Sequence, residues 1–360
     1  MNKNEEKLFW HLCSFLESNG DSMKKVIKEA ATPEVLGQLF FNRMQGVAYG
    51  VLKQANLLHE ANREFRNSLA DAWKQNVQKN ESFYQCVEKL SDDLRSIKDK
   101  YVMLKGALLC GIYPDGYRTS NDIDLLVRPE DVTEIGKALL QLGFRQGSIR
   151  DNRFIPASRQ EIIESKMMRG ETVPYILEVD LPWLQFLEVD INFSLDYKPG
   201  DDKALCLMLE RSTAADVRGA NVSALNRMDF FIHLCAHLYK EATTLPWVQM
   251  RRDMTLYKFS DIYLLMSQFS DSDVRQLFDQ AKEMGMQEIC SCVILWTIAL
   301  YEICSPYIQE HAEYILAEKA NMLHTVFAPS EHKELVYTEM NMRRRFFNTN
   351  RLELLSEVQK

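Results

Sequence analysis

Two aspartates that stand two positions apart in an otherwise aliphatic run are the most restrictive feature of this sequence. The run is Asp122-Ile123-Asp124-Leu125-Leu126-Val127, and its alternation of acidic and aliphatic residues is typical of a β-strand. Because strand side chains alternate between two faces, both carboxylates project from the same face. Carboxylates this close repel each other unless a cation lies between them, and hard divalent cations prefer such oxygen ligands. The run therefore predicts a buried strand that presents a metal site at its edge.

A third acid on a neighbouring strand would complete a site for two metal ions. The strand-like segment Glu188-Val189-Asp190-Ile191-Asn192 supplies one. We prefer Asp190, because an unpaired acid in an apolar strand is costly and needs a partner. Glu188 lies on the same face by alternation, and Glu178 and Asp180 form a similar pattern upstream, so these three acids remain alternatives.

The segment upstream of the aspartates predicts a strand, a tight turn and a helix. Residues 101–104 are typical of a short buried strand, and Lys105-Gly106 is typical of the turn that follows it. A glycine at such a turn lets the backbone approach a phosphate closely, and the N-terminus of a helix attracts anions. Lys105, Arg118 and Ser120 are nearby donors for phosphate oxygens. The segment thus indicates a phosphate site beside the carboxylates.

Hydrophobic periodicity divides the chain into three regions. Helical spacing of apolar residues dominates 1–98 and returns in 201–360, including the tail at 332–358. Between them, 99–200 alternates between strand-like and helical patterns and ends at the linker Lys198-Pro199-Gly200-Asp201-Asp202. We therefore expect an α+β protein, in which a mixed sheet with helices is flanked by N-terminal and C-terminal all-α regions.

Composition narrows the classes of function. The net charge is −8, which disfavours a protein that coats nucleic acid. The eight cysteines are scattered, with no CxxC pair, and this pattern indicates reduced thiols in place of disulfides or a zinc site. The first residues do not resemble a secretory signal, and the longest apolar run is far shorter than the roughly 20 residues of a membrane span. We expect a cytoplasmic protein with no membrane partner.

These segments together resemble the DNA polymerase β-like nucleotidyltransferase superfamily, and within it most closely the uncharacterised nucleotidyltransferase family. The resemblance rests on the Leu-Lys-Gly turn at 104–106, the Tyr-Pro-Asp turn at 113–115, Arg118, and Asp-Ile-Asp-Leu-Leu-Val at 122–127. It includes the N-terminal helical segment and fades after residue 200. It implies a nucleotidyltransferase-type sheet in the central region.

The resemblance also implies a reaction, namely Mg²⁺-dependent transfer of an NMP from an NTP to an acceptor hydroxyl with release of pyrophosphate. Asp122, Asp124 and Asp190 would be the catalytic residues and would hold two Mg²⁺ ions. The NTP is expected to be ATP. Its binding residues would be Lys105, Gly106, Ala107, Arg118, Ser120 and Asn121. The acceptor stays open between a small molecule, a peptide or protein, and a tRNA end, with nucleic acid disfavoured by the charge.

Three residues of the C-terminal helices are candidates for the acceptor side. His237 would face the nucleotide, Lys258 belongs to a locally basic stretch, and Asp261 would act as a general base or pair with an arginine. Packing and helix-surface roles are the competing interpretations. Two other functions also remain open: a non-catalytic nucleotide- or partner-binding module on the same fold, and a toxin–antitoxin type transferase that acts on RNA or a protein.

Overall fold

The computed structural model of this protein describes residues 1–15, 21–168, 170–195, 203–303 and 305–357. The predicted linker at 198–202 therefore lies outside the described residues, and so does Cys304. Seven cysteines fall within the described ranges, and all seven are free thiols. None of the helices in these ranges is long and apolar enough to cross a membrane.

In the part of the chain that the structure describes, two compact units can be distinguished. Unit 1 comprises Met1–Ser194 together with Ser212–Ala224, and unit 2 comprises Leu195–Arg211 together with Leu225–Lys360. The predicted N-terminal helices and the predicted α/β core thus share unit 1. Residues 212–224 also belong to unit 1, although they follow the predicted linker.

The N-terminal part of unit 1 is helical. Its helices are α1 (Lys3–Leu12), α2 (Asp21–Ala30), α3 (Pro33–Phe41), α4 (Gln45–Gln54) and α5 (Arg63–Asp93), with short 3₁₀ turns at Leu58–Glu60 and Arg95–Ile97. Helix α5 begins where the Asn62 side chain accepts a hydrogen bond from the Phe65 amide at 3.0 Å. Its buried stripe continues through Leu69, Phe83 and Leu90, and the C-terminal half of this stripe joins the core of the sheet.

The rest of unit 1 is a mixed sheet with helices. In chain order its elements are β1 (Tyr101–Met103), α6 (Gly106–Ile112), β2 (Asp122–Val127), α7 (Val132–Gln141), β3 (Arg145–Arg150), β4 (Arg153–Pro156), α8 (Arg159–Met168), β5 (Tyr175–Leu181), β6 (Leu184–Asn192), β7 (Thr213–Val217) and β8 (Ala220–Ala224). Among the described residues the sheet has eight strands in the order β4-β3-β5-β6-β2-β1-β8-β7. Strand β2 is central, antiparallel to β1 and parallel to β6. The predicted α+β class with a mixed sheet is confirmed.

The apolar face of β2 and β6 lies in the core of unit 1. Ile123, Leu125 and Val127 of β2 are fully buried, and so are Val189 and Ile191 of β6. Burial of side chains of this size stabilises the fold by about 2 kcal/mol each. A slip of one residue would exchange these side chains with the acids between them. The core therefore fixes which face of the sheet carries the carboxylates.

Strands β7 and β8 form a hairpin within a region that the apolar spacing predicts to be helical. Val217 pairs with Ala220 around the turn Arg218-Gly219, whose φ angles are +51° and +94°. Two consecutive positive φ angles are typical of a type I′ turn, and glycine adopts such an angle without steric cost. The expectation of an all-α region from 201 onward is corrected here. Small residues dominate both strands and give only a weak strand pattern, so pairing with β1 decides the outcome.

Unit 2 is mainly helical. Its helices are α9 (Lys203–Glu210), α10 (Arg227–Ala242), α11 (Leu245–Gln249), α12 (Leu256–Met266), α13 (Asp271–Glu283), α14 (Gln287–Tyr301), α15 (Pro306–Leu316) and α16 (Met342–Phe347), with 3₁₀ turns at Ala320–Leu323 and Arg351–Leu354. Helix α10 packs against α12, α13 and α14. Arg211 Nε donates to the buried Asp229 Oδ2 at 3.0 Å, which fixes the first turn of α10 to the end of α9.

The tail of unit 2 contains strands where the sequence predicts a helix at 332–358. Strands β9 (Thr325–Ala328), β10 (Lys333–Tyr337) and β11 (Leu355–Glu357) form an antiparallel sheet. Buried Arg351 bonds both carboxylate oxygens of buried Asp253, at 2.7 and 2.6 Å. The prediction of a helical tail is wrong at 333–337 and 355–357, because strand pairing and this ion pair override the helix propensity of a charged segment, and only the short helix α16 agrees with it.

The loop that precedes β2 is held between α4 and α5. Three α5 side chains at helical spacing donate hydrogen bonds to carbonyl groups of this loop. The pairs are Trp73–Asp115, Asn76–Gly116 and Asn80–Arg118, each with a donor–acceptor distance of 2.9 Å. On the α4 side, a Cβ at Gly50 would lie 2.0 Å from the Tyr117 hydroxyl oxygen, so a larger residue there would displace the Tyr117 ring. The N-terminal helices thus determine the path of the chain into β2.

We predict that Asn76→Ala lowers the free energy of unfolding by about 1 kcal/mol, because the Gly116 carbonyl loses its donor. Gln75→Ala, on the exposed side of the same helix, is the matched control and should change it by less than about 0.5 kcal/mol. Urea denaturation followed by circular dichroism measures both variants. Equal effects of the two substitutions would contradict the proposed role of the α5 donors.

Candidate active site

Four carboxylates meet where β2 and β6 run side by side. In the parallel register of these strands, Asp122 pairs with Glu188 and Asp124 pairs with Asp190. All four alternate with the buried aliphatic residues and so share the other face of the sheet. Neighbouring strands lie about 4.8 Å apart, so the four groups are close. The structure brings together the three acids that the sequence favours and places Glu188 beside them.

The other two alternative acids lie away from this cluster. Glu178 is exposed on β5 and pairs with Phe186 of β6, four positions from Asp190. That separation along the strand is about 13 Å. Asp180 is exposed near the irregularity of β5 and has a φ of +47°. Both acids are therefore suitable controls for substitutions in the cluster.

Lys105 supplies the positive charge that contacts the cluster. Its Nζ donates to Asp124 Oδ1 at 2.7 Å, and Asn192 Nδ2 approaches the same oxygen at 3.4 Å. The Lys105 and Asp124 side chains are 19% and 6% exposed, so water screens this ion pair only weakly. The residue predicted to bind phosphate thus contacts a predicted metal ligand.

Ser120 orients Asp122, the first residue of β2. Its Oγ donates to Asp122 Oδ1 at 2.7 Å. Burial raises the pKa of Asp122, but this hydrogen bond and the Lys105 charge outweigh it, so the pKa is lowered overall. A Cβ at Gly106 would lie 2.2 Å from Ser120 Oγ. Glycine at 106 is therefore required by the close approach of Ser120, in addition to any contact with phosphate.

The start of α6 offers little to an anion. The Ala107 amide donates to the Leu104 carbonyl at 3.3 Å, and the Leu108 amide donates to the Lys105 carbonyl at 3.1 Å. The helix has only seven residues, so its dipole is small. The predicted role of the α6 N-terminus therefore gains no support from the geometry, and Ala107 is a buried packing residue.

Arg118 and Asn121 flank the start of β2 in different environments. Arg118 is buried, and its carbonyl accepts the Asn80 hydrogen bond. Its charge contributes to the lowered pKa of Asp122, after the larger effects of burial and Ser120. Asn121 is exposed, and its carbonyl accepts from the Glu188 amide at 3.4 Å. The side chain of Asn121 is thus open to solvent at the edge of the cluster.

The remaining carboxylates of the cluster are destabilised in their charged forms. Burial raises the pKa of Asp190 well above its ordinary value, and repulsion from Asp124 and Glu188 raises it further. Burial raises the pKa of Asp124 as well, although the Lys105 ammonium partly offsets this effect. The pKa of Glu188 is raised by burial and by the neighbouring aspartates. The cluster therefore carries more negative charge than its surroundings compensate.

The chemistry of these donors suits a hard divalent cation. Among the described residues, no three His, Cys, Asp or Glu side chains are already placed to hold a metal ion. Lys105 and Ser120 donate to oxygens of Asp124 and Asp122, whereas burial and the neighbouring carboxylates raise the pKa of Asp190. A bound cation relieves such an excess of carboxylate charge. The residues therefore fit Mg²⁺ by charge and ligand type.

Sequence reasoning missed one cation of this region, Lys79 of α5. Its side chain is partly buried. Burial lowers the pKa of Lys79, the Arg43 charge lowers it further, and Asp122 opposes both effects. Lys79 thus lies within electrostatic range of the cluster, beside Asn80, which anchors the loop of Arg118. No local motif indicates that Lys79 belongs to this region, because α5 and β2 are far apart in the sequence and only the packing of unit 1 brings Lys79 near Asp122.

The three candidates for the acceptor side belong to unit 2. His237 Nε2 lies 3.4 Å from Glu241 Oε1, and Lys258 forms an ion pair with the other oxygen of Glu241. Lys258 also lies over the Trp247 ring, with Nζ 5.6 Å from its centroid. Asp261 is buried on α12. His237 and Lys258 are thus brought together by a shared carboxylate, and their role towards an acceptor stays a prediction.

Comparison with known proteins bears on the identity of this site. A family model described as "Uncharacterised nucleotidyltransferase" matches residues 28–302. Among solved structures, an antigenic nucleotidyltransferase-like protein from Paracoccidioides brasiliensis is 15% identical, and the match covers 51% of this chain and 74% of that chain with a TM-score of 0.32. None of the curated proteins matches this sequence.

The family match includes the N-terminal helices from α3 onward, the whole carboxylate cluster and unit 2 as far as α14. It confirms the resemblance that the turn at 104–106 and the aspartates of β2 indicate, and it covers most of the chain. The structural likeness is too weak to add to it. This protein therefore belongs to the uncharacterised nucleotidyltransferase family.

Proposed function

We propose that this protein is a Mg²⁺-dependent enzyme that transfers an NMP, expected to come from ATP, to an acceptor hydroxyl and releases pyrophosphate. The observation that supports this most is the register of β2 and β6, which pairs Asp124 with Asp190 beside Asp122. Membership of the family supports the reaction class. The free thiols of the described cysteines favour a reducing compartment, so we expect the cytoplasm.

Asp122, Asp124 and Asp190 are the residues that would hold the metal ions. Bound there, Mg²⁺ would neutralise charge on the triphosphate and lower the pKa of the acceptor hydroxyl. Ser120 keeps the Asp122 carboxylate oriented, and the α5 donors hold the loop that leads to it. This part of the proposal thus depends on side chains of unit 1.

The same part of unit 1 carries cations that suit a triphosphate. Lys105 precedes α6, and Arg118 lies in the loop between α6 and β2. Lys79 of α5 lies within electrostatic range of Asp122. Ammonium and guanidinium groups form strong charge-assisted hydrogen bonds with phosphate oxygens.

One observation favours a second candidate function, a non-catalytic nucleotide-binding module. The Lys105 ammonium donates to Asp124 Oδ1 at 2.7 Å, and this is an oxygen through which Asp124 would bind a metal ion. A permanent ion pair there would leave the fold without metal chemistry. A toxin–antitoxin type transferase would carry out the same chemistry as the main proposal and differs only in its acceptor, so labelling experiments separate these two.

We predict that Asp124→Asn lowers Mg²⁺-dependent transfer of label from α-labelled NTP by about 10²-fold or more, the scale expected for loss of a group that organises charge at the reaction. Glu178→Gln, on the exposed part of β5, should leave transfer unchanged. The assay uses purified protein with lysate small molecules, RNA and protein fractions, and follows both label and pyrophosphate. The fraction that takes up label identifies the acceptor class.

Two results would count against the enzyme. Pyrophosphate release that Asp124→Asn and Glu178→Gln affect equally would place the activity outside the cluster. Binding of NTP by the wild-type protein with no label on any fraction and no pyrophosphate would favour the non-catalytic module.

We further predict a pH dependence of stability from Asp190. The pKa of Asp190 is raised in the folded state, so the folded protein binds this proton more tightly than the unfolded chain does. The free energy of unfolding of the metal-free protein therefore falls as the pH rises from about 4, the ordinary carboxyl range, towards the raised pKa. Asp190→Asn removes this contribution. The gain in stability of the variant over wild type should therefore grow as the pH rises above about 4.

Urea denaturation in EDTA at several pH values measures this difference. Asp180→Asn, at an exposed position of β5, is the control and should follow the wild-type curve. A difference between Asp190→Asn and wild type that does not grow with pH would show that Asp190 stays charged at no cost in the folded protein.

A further inference from the structure

We propose that Lys105 is an exchangeable counter-cation: its ammonium occupies Asp124 in the metal-free protein and moves to the triphosphate when a divalent ion and a nucleotide bind together. This inference rests on the proposed function, because it assigns the metal to the same carboxylates. It goes beyond that function by making binding of the metal and binding of the nucleotide depend on each other through one side chain.

The first support is the position of the ammonium. Lys105 Nζ lies 2.7 Å from Asp124 Oδ1, and both side chains are largely buried. Breaking a buried ion pair by removing one partner leaves an uncompensated charge. A divalent ion that binds this oxygen therefore competes with the ammonium, and the phosphate oxygens of a nucleotide offer the ammonium an alternative anionic partner.

The second support is the backbone of Lys105. Its φ of +40° and ψ of −108° lie in a region that residues with a Cβ rarely adopt. Such a conformation costs on the order of 1–3 kcal/mol and persists where the surrounding structure or function requires it. A glycine at this position would relieve the strain, yet the chain has lysine there. The chain therefore places a charged side chain at a backbone position where glycine would be less strained.

The third support is the rigidity of the attachment. The Leu108 and Leu109 amides both donate to the Lys105 carbonyl, at 3.1 and 2.7 Å, and the Leu104 amide donates to the Asp124 carbonyl at 2.9 Å. The backbone of Lys105 is therefore fixed against β2 and α6. Only the flexible four-carbon stem can move, and it can carry the ammonium a few ångströms without changing the fold.

A binding order follows from this arrangement. A divalent ion alone competes with a buried ammonium and binds weakly, whereas a nucleotide offers phosphate oxygens to the ammonium and so frees Asp124. Coupling between two ligands is reciprocal, and its usual size is about 5–150-fold in affinity. We expect the metal to bind at least about 10-fold more tightly with nucleotide than without it.

The test is Mn²⁺ binding, followed by electron paramagnetic resonance, with and without a non-hydrolysable NTP analogue. Lys105→Met keeps the length of the stem and removes the charge. It should bind Mn²⁺ alone at least about 10-fold more tightly than wild type and lose the dependence on nucleotide. Lys89→Met is the matched control, because Lys89 is an exposed lysine of α5 that pairs with Asp93, and it should behave as wild type. Lys105→Arg should restore part of the coupling.

The outcomes separate this inference from the proposed function. Absence of Mn²⁺ binding that depends on Asp124, tested with Asp124→Asn, would overturn both. Binding that depends on Asp124 but is equal in Lys105→Met and wild type, with the same response to nucleotide, would overturn the role of Lys105 alone. If Lys105→Met does not fold, Lys105→Gln, whose amide can still donate to Asp124, carries the same comparison.

Discussion

Repulsion among the carboxylates of β2 and β6 is the constraint on which this site depends. The parallel register places Asp124 against Asp190 and Asp122 against Glu188, and burial strengthens the repulsion. The Lys105 ammonium offsets only part of it, so the pKa of Asp190 stays well above its ordinary value. The free-energy cost of this repulsion must be offset elsewhere in the fold. Burial of the aliphatic side chains on the opposite face of the same two strands contributes to this.

The surrounding elements hold this unfavourable cluster in one geometry. Helix α5 donates hydrogen bonds to the loop before β2, and Gly106 leaves the space that Ser120 needs to reach Asp122. The family match includes helix α5 as well as the sheet. The helices that precede the sheet are part of the apparatus that positions the acids.

Unit 2 has its own buried polar groups, and these have a different character. Asp253 and Arg351 form a bidentate pair that fixes the C-terminal sheet. The Glu241 carboxylate contacts both His237 and Lys258. The first pair is fully engaged and structural. The second leaves His237 partly exposed, and the acceptor role of this region stays a prediction.

The sequence by itself determined the strand of Asp122 and Asp124, the shared face of their carboxylates, the α+β class and the family, because these depend on local alternation and on a short ordered motif. Only the tertiary structure decided that Glu188 joins the cluster, that Lys79 approaches it, and that Lys105 lies on Asp124. The apolar spacing also failed to predict the β7–β8 hairpin and the strands of the tail. Contacts such as Asp124 with Asp190, Met103 with Ala224 and Arg351 with Asp253 join residues far apart in the chain. Side-chain periodicity carries no information about which strand or helix becomes the neighbour.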